Sequence, residues 1–280
     1  MKNNEIMYDS YKEDRDIILE YNQADLNDTG VCNILRMGVD NLTFVQAVAK
    51  IIKMINDGGV HHVIMLNPYK LLRYRSNNDL NMIYSKASMK IATGSGMLEA
   101  AKRLHNPLKE RIPQMSFIME IIRLSEIKEY TIFLVGGKPE TAEKAFFNIK
   151  KSFPGIRIVG RHGGFFSKER EASVVEAIRK SEANIVLVGM GFPREDKWIS
   201  KFRGQFKNTV FIGIGGGIDI ISGETNKAPG YFMESGKDWH YRIVTRPWRW
   251  GKLIRLFFFN VHLFFAGLFS KNKKKKSKRR

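Results

Sequence analysis

Short apolar runs alternate with longer helical patterns along most of the chain. The β-rich runs fall at residues 31–37, 60–66, 89–92, 130–135, 156–159, 184–188 and 209–214. Helical patterning covers 43–56, 96–104, 139–152, 168–181 and 193–202. Several strand runs are unbroken, such as IVLVG and TIFLVGG. A strand with one solvated face would alternate instead, so these are expected to be covered on both faces. The alternation predicts an α/β fold, an open, mostly parallel sheet with crossover helices.

The pattern divides the chain. Residues 1–30 are polar, carry both charge signs and lack an apolar h-region, so a flexible segment without a signal peptide is expected there. The α/β core is expected over 31–230, a helical appendage with a Phe-rich membrane anchor over 231–270, and a polybasic tail over 271–280. A lone cysteine, Cys32, excludes an internal disulfide and fits a reducing compartment, so the cytoplasm is the expected address.

Glycines mark the carboxyl ends of the strand runs: Gly94, Gly136 and Gly137, Gly163 and Gly164, Gly191, Gly215 and Gly216. Ligands of open α/β sheets bind outside those strand ends. Glycine there lets backbone N–H groups approach an anion, and the next helix adds its dipole. Strand-to-helix turns also favour glycine for their own geometry. Neither a Walker A loop nor a GxGxxG fingerprint is present, so the residues alone point to a generic phosphate site.

Charge changes the picture at one end. The formal net charge is +19, and residues 237–280 hold 14 Lys and Arg against Asp238 alone. Nucleic acid and an anionic membrane surface both suit such a segment. The stretch LIRLFFFNVHLFFAGLFS, with six phenylalanines, argues for the membrane and against nucleic acid. Residues 256–269 as a helix would be about 21 Å long, short of the roughly 30 Å hydrocarbon core. Spanning would also carry KNKKKKSKRR across the bilayer, against the positive-inside rule. An in-plane interfacial helix is expected, with a true span and a core helix as the alternatives.

Several segments, in order, carry a resemblance: LRMGVDNLTF, IMLNPYKLL, IATGSGMLEAAKRL, FLVGGKPETAEKA, GRHGGFF, VGMGFPREDKWI and GIGGGIDIISGETNKAPGYFMESGKDWHYRIVTRPWRW. Together they resemble the WecG/TagA/CpsF family of glycosyltransferases over roughly residues 34–250. The pattern G-x-P-x-Q-E-x-W-I is matched by Gly191, Pro193, Trp198 and Ile199, and later patterns by Gly213, Gly215, Gly216, Asp219, Gly223, Trp239, Tyr241 and Arg242. The resemblance implies a Rossmann-like fold and an inverting, metal-independent transferase without cofactor. It implies a UDP-sugar donor such as UDP-N-acetylmannosamine and a polyprenyl-diphosphate-linked N-acetylglucosamine acceptor at the cytoplasmic face of the cell membrane. It also implies a homo-oligomer assembled through the core.

By that resemblance Asn67, Gly94, Gly136, Gly137, Gly191, Gly215, Gly216 and Asp219 are donor-side residues, and Arg242 and Arg249 reach the diphosphate. Guanidinium groups suit phosphate oxygens because they bind them bidentately. His162 stands at a position near the sugar, with a satisfied loop histidine as the alternative. The sequence departs from the pattern on the acceptor side. Thr93 occupies the place of the proposed catalytic aspartate, Met65 that of a threonine, and Gln114 and Ser116 those of a glycine and an aspartate. A threonine hydroxyl is no base near neutral pH, so Glu99, Glu195 and Asp196 are candidates for a relocated base. The alternative is a weakened, membrane-attached subunit that binds a nucleotide-sugar without turnover.

Overall fold

The computed structural model describes residues 14–225 and Tyr231. Six strands form one sheet: β3 (Val60–Leu66), β4 (Met89–Ala92), β5 (Thr131–Gly136), β6 (Arg157–His162), β7 (Ile185–Gly189) and β8 (Thr209–Gly213). Their order is β4-β3-β8-β7-β5-β6, and every neighbouring pair is parallel. The fold is α/β and Rossmann-like, as the alternation of strand and helix patterns implies. β7 and β8, which read as unbroken apolar runs, lie inside the sheet and are buried at every position.

The helices are α2 (Phe44–Asp57), α3 (Pro68–Arg75), α4 (Asn78–Ser85), α5 (Ser95–Arg103), α6 (Gln114–Ile127), α7 (Pro139–Ser152), α8 (Lys168–Lys180), α9 (Arg194–Phe202) and the short α10 (Gly217–Ile221). Local chemistry sets their ends. Thr43 Oγ1 accepts the Gln46 N–H while Gln46 Oε1 accepts the Thr43 N–H, a capping box that starts α2. Asn67 and Asn77 cap α3 and α4 by accepting the Lys70 and Leu80 N–H groups.

Alternate strand positions feed opposite faces of the sheet. Val63, Met65, Leu134, Leu187 and Ile212 join α2, α6 and α7 in one continuous apolar cluster. On the other face the core divides. Ile64 and Leu66 pack with α3, α4 and α5, whereas Val135, Val186, Val188 and Phe211 pack with α8 and α9.

Two elements depart from the sequence reading. Residues 31–37 form a hairpin, β1 (Gly30–Ile34) and β2 (Met37–Asn41), instead of one strand. Leu35 and Arg36 turn it with φ of 51° and 73°, the geometry of a two-residue hairpin loop. Neither residue is of the type that usually announces such a turn, so the apolar run reads straight through it. A further helix, α1 (Asp14–Asn22), lies within the stretch expected to be flexible. It belongs to the folded body: Tyr21 is buried, and its hydroxyl donates to Glu120 Oε1 on α6 (2.7 Å).

The sheet has two unlike edges. Beyond β4, the Lys90 N–H donates to Asp40 Oδ2 on β2 (2.8 Å). At the far edge, β6 exposes Arg157, Arg161 and His162. The appendage, the Phe-rich run and the polybasic tail lie outside the described residues, apart from Tyr231. Among the described residues, no helix is long and apolar enough to cross a membrane.

Candidate functional site

All six strands point their carboxyl ends to one edge, and the loops leaving them meet there by close backbone approach. The Thr93 N–H and hydroxyl both donate to the Leu66 carbonyl (2.8 and 3.0 Å), clamping the end of β4 to the end of β3. Further along, the Gly137 N–H donates to Gly189 O and the Gly164 N–H to Gly137 O (3.1 and 2.7 Å). A Cβ on Gly136 would stand 2.5 Å from Gly189 O, so only glycine lets these turns touch. Helices α3, α5, α7 and α9 all begin at this edge, which turns their positive ends toward it. Such a rim favours an anionic ligand.

Beneath the rim, between the two apolar clusters of the divided face, lie five buried polar side chains. Glu195 and Asp196 open α9 and are fully buried. Lys70 of α3 places its ammonium 3.2 Å from Glu195 Oε1 and 3.5 Å from Asp196 Oδ2. Glu195 Oε2 accepts the N–H groups of Gly191 (3.1 Å) and Gly215 (2.8 Å). Tyr84 of α4 donates its hydroxyl to Asp196 Oδ2 at 2.9 Å, and His62 of β3 stands 3.7 Å from Asp196 Oδ1.

The charge states follow from these contacts. Burial would push Asp196 up, but the Lys70 ammonium, His62 and Tyr84 hold it below the ordinary carboxylate value. Burial would likewise lower Lys70, and the two carboxylates raise it instead. For Glu195 burial prevails and lifts the carboxyl, opposed by Lys70. Burial raises the Tyr84 hydroxyl, with Asp196 adding to the effect. Burial also lowers His62 against the pull of Asp196, which keeps the ring neutral. Among the described residues, no group of three or more His, Cys, Asp and Glu could hold a metal ion. Lys70 supplies the counter-charge to both carboxylates.

At the β6 end of the rim opens a cleft of about 700 Å³ lined by Pro139, Arg161, His162, Phe165, Phe166 and Arg170 among others. Its volume suits a small-molecule ligand. Arg161 is paired with Glu143 and lies over the Phe146 ring (4.2 Å). The Arg194 guanidinium stands 5.6 Å from the rings of both Phe165 and Phe166. His162 Nδ1 lies 2.6 Å from the Gly163 carbonyl oxygen, and its ring meets Phe166 edge-on.

The rim brings together most of the residues singled out from the sequence. Asn67, Gly94, Gly137, Gly191, Gly215 and Gly216 lie in its loops, Gly136 is the last residue of β5, and Asp219 is half-buried in the first turn of α10. Thr93 is buried, with its hydroxyl committed to a carbonyl. Glu195 and Asp196 sit under the rim, away from solvent; both Glu195 oxygens and Asp196 Oδ2 accept from protein donors, whereas Asp196 Oδ1 has no hydrogen-bond partner among the described residues. Glu99 is separate from them, exposed on α5 and paired with Arg103 at 2.7 Å. Gln114 donates from its side chain to Ile214 O (2.8 Å), tying α6 to the end of β8, and Ser116 is exposed. Arg242 and Arg249 lie outside the described residues.

Sequence reasoning missed Lys70, His62 and Tyr84. One faint signal exists in VHHVIML: strand alternation must turn one of two adjacent histidines inward. For Lys70, 125 residues before Glu195 in the chain, no local pattern marks the pairing.

A family model described as the glycosyl transferase WecG/TagA/CpsF family matches residues 32–277. Two similar relatives, from Staphylococcus aureus strains COL and MRSA252, carry the name N-acetylglucosaminyldiphosphoundecaprenol N-acetyl-beta-D-mannosaminyltransferase. Each is 28% identical over 240 residues, spanning 84% of this chain and 93% of the relative.

Proposed function

From the premise that this chain belongs to the WecG/TagA/CpsF family of glycosyl transferases, we propose that it moves an N-acetylmannosamine-like sugar from a UDP-sugar to a polyprenyl-diphosphate-linked N-acetylglucosamine. The observation that carries this reading is the glycine rim, where backbone N–H groups and four helix starts meet at one sheet edge. A departing diphosphate needs such preset positive ends. The aromatic and cationic cleft beside β6 suits a nucleotide, with ring faces for the base and guanidinium groups for phosphate.

The reaction joins the acceptor hydroxyl oxygen to the anomeric carbon. The bond from that carbon to the diphosphate oxygen breaks, UDP leaves with the bonding pair, and a base takes the hydroxyl proton. Attack opposite the leaving group inverts the anomeric centre. Of the three carboxylates put forward as base, only Glu99 is open to solvent, and we assign it the first test. Asp219 is the rim acid assigned to the donor side. The Phe-rich run and its lysines would bring the protein to anionic lipid at the cytoplasmic face, where Arg242 and Arg249 meet the diphosphate. Assembly into a homo-oligomer completes the reading.

The test is acceptor-dependent UDP release by full-length protein in detergent or vesicles, across a panel of UDP-sugars, with Glu99→Ala and Asp219→Asn alongside. Release with UDP-N-acetylmannosamine that Glu99→Ala abolishes supports both the reaction and the base. UDP-sugar binding without release from any donor would sink turnover and leave a nucleotide-sugar-binding subunit. Two observations favour that second outcome: the committed Thr93 hydroxyl and the sealed Glu195 and Asp196 carboxylates.

A further inference from the structure

We propose that Glu195, paired with Lys70, is a positioning residue that locks the turns after β7 and β8 and the start of α3 into one rigid seat for the donor's diphosphate. The inference rests on the transferase reading above.

One carboxylate reaches three strand ends that are neighbours in the sheet. Its Oε2 holds the N–H of Gly191 in the turn after β7 and the N–H of Gly215 in the turn after β8. Its Oε1 accepts from Lys70 in the first turn of α3, the helix that Asn67 caps after β3. Gly191 and Gly215 both have positive φ, 79° and 53°. Free glycine turns sample many conformations. Two N–H bonds to one charged oxygen remove that freedom, and bonds to charged groups are the stronger kind.

The chemistry of the pair argues for placement as its purpose. Every polar group bonded to Glu195 is a donor, so the bonding calls for its ionised form. A buried ion pair of this kind seldom stabilises a fold more than well-packed apolar residues would. Proton transfer to or from substrate is closed to it as well, because the side chain is buried and both oxygens are engaged. Asp196 anchors the arrangement from behind. It accepts from Tyr84 and lies near Lys70, which holds the ammonium in place between the carboxylates. Phe192 covers Lys70 on the rim side, its ring centroid 5.6 Å from Nζ. Gly213 leaves no slack, since a Cβ there would stand 3.3 Å from Glu195 Oε1.

In a glutamine at this position the amide NH₂ would face either the ammonium or the glycine N–H groups. Glu195→Gln should therefore free at least one turn, and Lys70→Met in the same chain should relieve the conflict by removing the ammonium. The experiment compares full-length wild type, Glu195→Gln, Lys70→Met/Glu195→Gln and Ile178→Ala, a control that loosens the packing of α8 far from the turns. Amide exchange at Gly191 and Gly215, UDP affinity by calorimetry, and kcat and KM for donor and acceptor are measured on each.

Expected for Glu195→Gln is amide exchange faster by about tenfold at Gly191, at Gly215 or at both. UDP affinity and donor KM should worsen by about tenfold, with acceptor KM unmoved. The double variant should recover UDP affinity to within about threefold. Unchanged exchange at Gly191 and Gly215 overturns the proposal. So does faster exchange with UDP affinity kept, or a Glu195→Gln that differs from Ile178→Ala in none of the ligand readouts. Wild type that binds no UDP overturns the transferase reading instead, and the exchange data then decide the tie between the turns by themselves.

Discussion

The sheet is closed on its two faces by different chemistry. Against α2, α6 and α7 it presents one continuous apolar surface. Against α3, α4 and α9 it presents two apolar clusters with His62, Lys70, Tyr84, Glu195 and Asp196 between them. Apolar burial acts in proportion to area and has no direction, so the first face holds helices to strands without fixing any loop. Hydrogen bonds between charged groups have direction, and on the second face they end on the backbone of the glycine turns. One face supplies cohesion, and the other decides where the strand ends stand.

The largest blow to that contrast should come from Lys70→Met. It leaves two carboxylates buried without a counter-charge, and about 3–5 kcal/mol of stability should go. Chemical denaturation checks this, and a loss under about 1 kcal/mol would erase the energetic difference between the faces. Tyr84→Phe removes one bond to the Asp196 carboxylate and should cost about 1.5–3 kcal/mol. On the apolar face, Ile132→Val should cost about 0.5–1.5 kcal/mol and leave donor KM where it was. A donor KM that moves with Ile132→Val would show that the two faces are not separable.

Acid should act on the polar face through His62 and Asp196. His62 is held neutral below its ordinary value, so the unfolded chain takes up its proton first. The stability this contributes is full above about pH 6.5 and falls as the pH drops below it. Asp196, whose carboxyl is held low, contributes above about pH 3.8 and loses that stability at still lower pH. His62→Phe should flatten the fall of the denaturation midpoint between about pH 7 and 5. An unaltered slope would remove His62 from the account. The smallest effect belongs to Glu99→Ala, on the exposed surface of α5, where its pair with Arg103 should be worth under about 0.5 kcal/mol. That change tests the assignment of the base cleanly, because stability barely moves while turnover should vanish.

The same contrast explains what could be read in advance. The bounds 60–66 and 89–92 fall on β3 and β4 themselves, the reading of β7 is shifted by one residue and that of β8 runs one residue past its end, because strands covered on both faces write their burial locally. The turn at Leu35 and Arg36 was invisible, since a leucine and an arginine occupy positions that glycine or asparagine would normally mark. Helices α3 and α4 were missed as well: each is only eight residues long, too short for a periodic pattern. At the site, the glycine turns were legible because backbone approach demands one residue type. Glu195 and Asp196 were found as acids but read as candidates for open chemistry, since their burial depends on Lys70, Tyr84 and His62 from distant parts of the chain.

The unlike edges of the sheet bear on how the protein behaves in a crowded solution. A bare outer strand is a template on which another chain can add, and repetition of that step grows fibrils. Past β4 the template is occupied, because Asp40 answers the Lys90 amide and β2 stands in the way. Among the described residues no strand pairs with the outer side of β6, which carries Arg157 and Arg161, so a second copy approaching edge to edge would meet like charge. Replacing both arginines with threonine would invite sheet growth at that border, with turbidity on concentration as its sign.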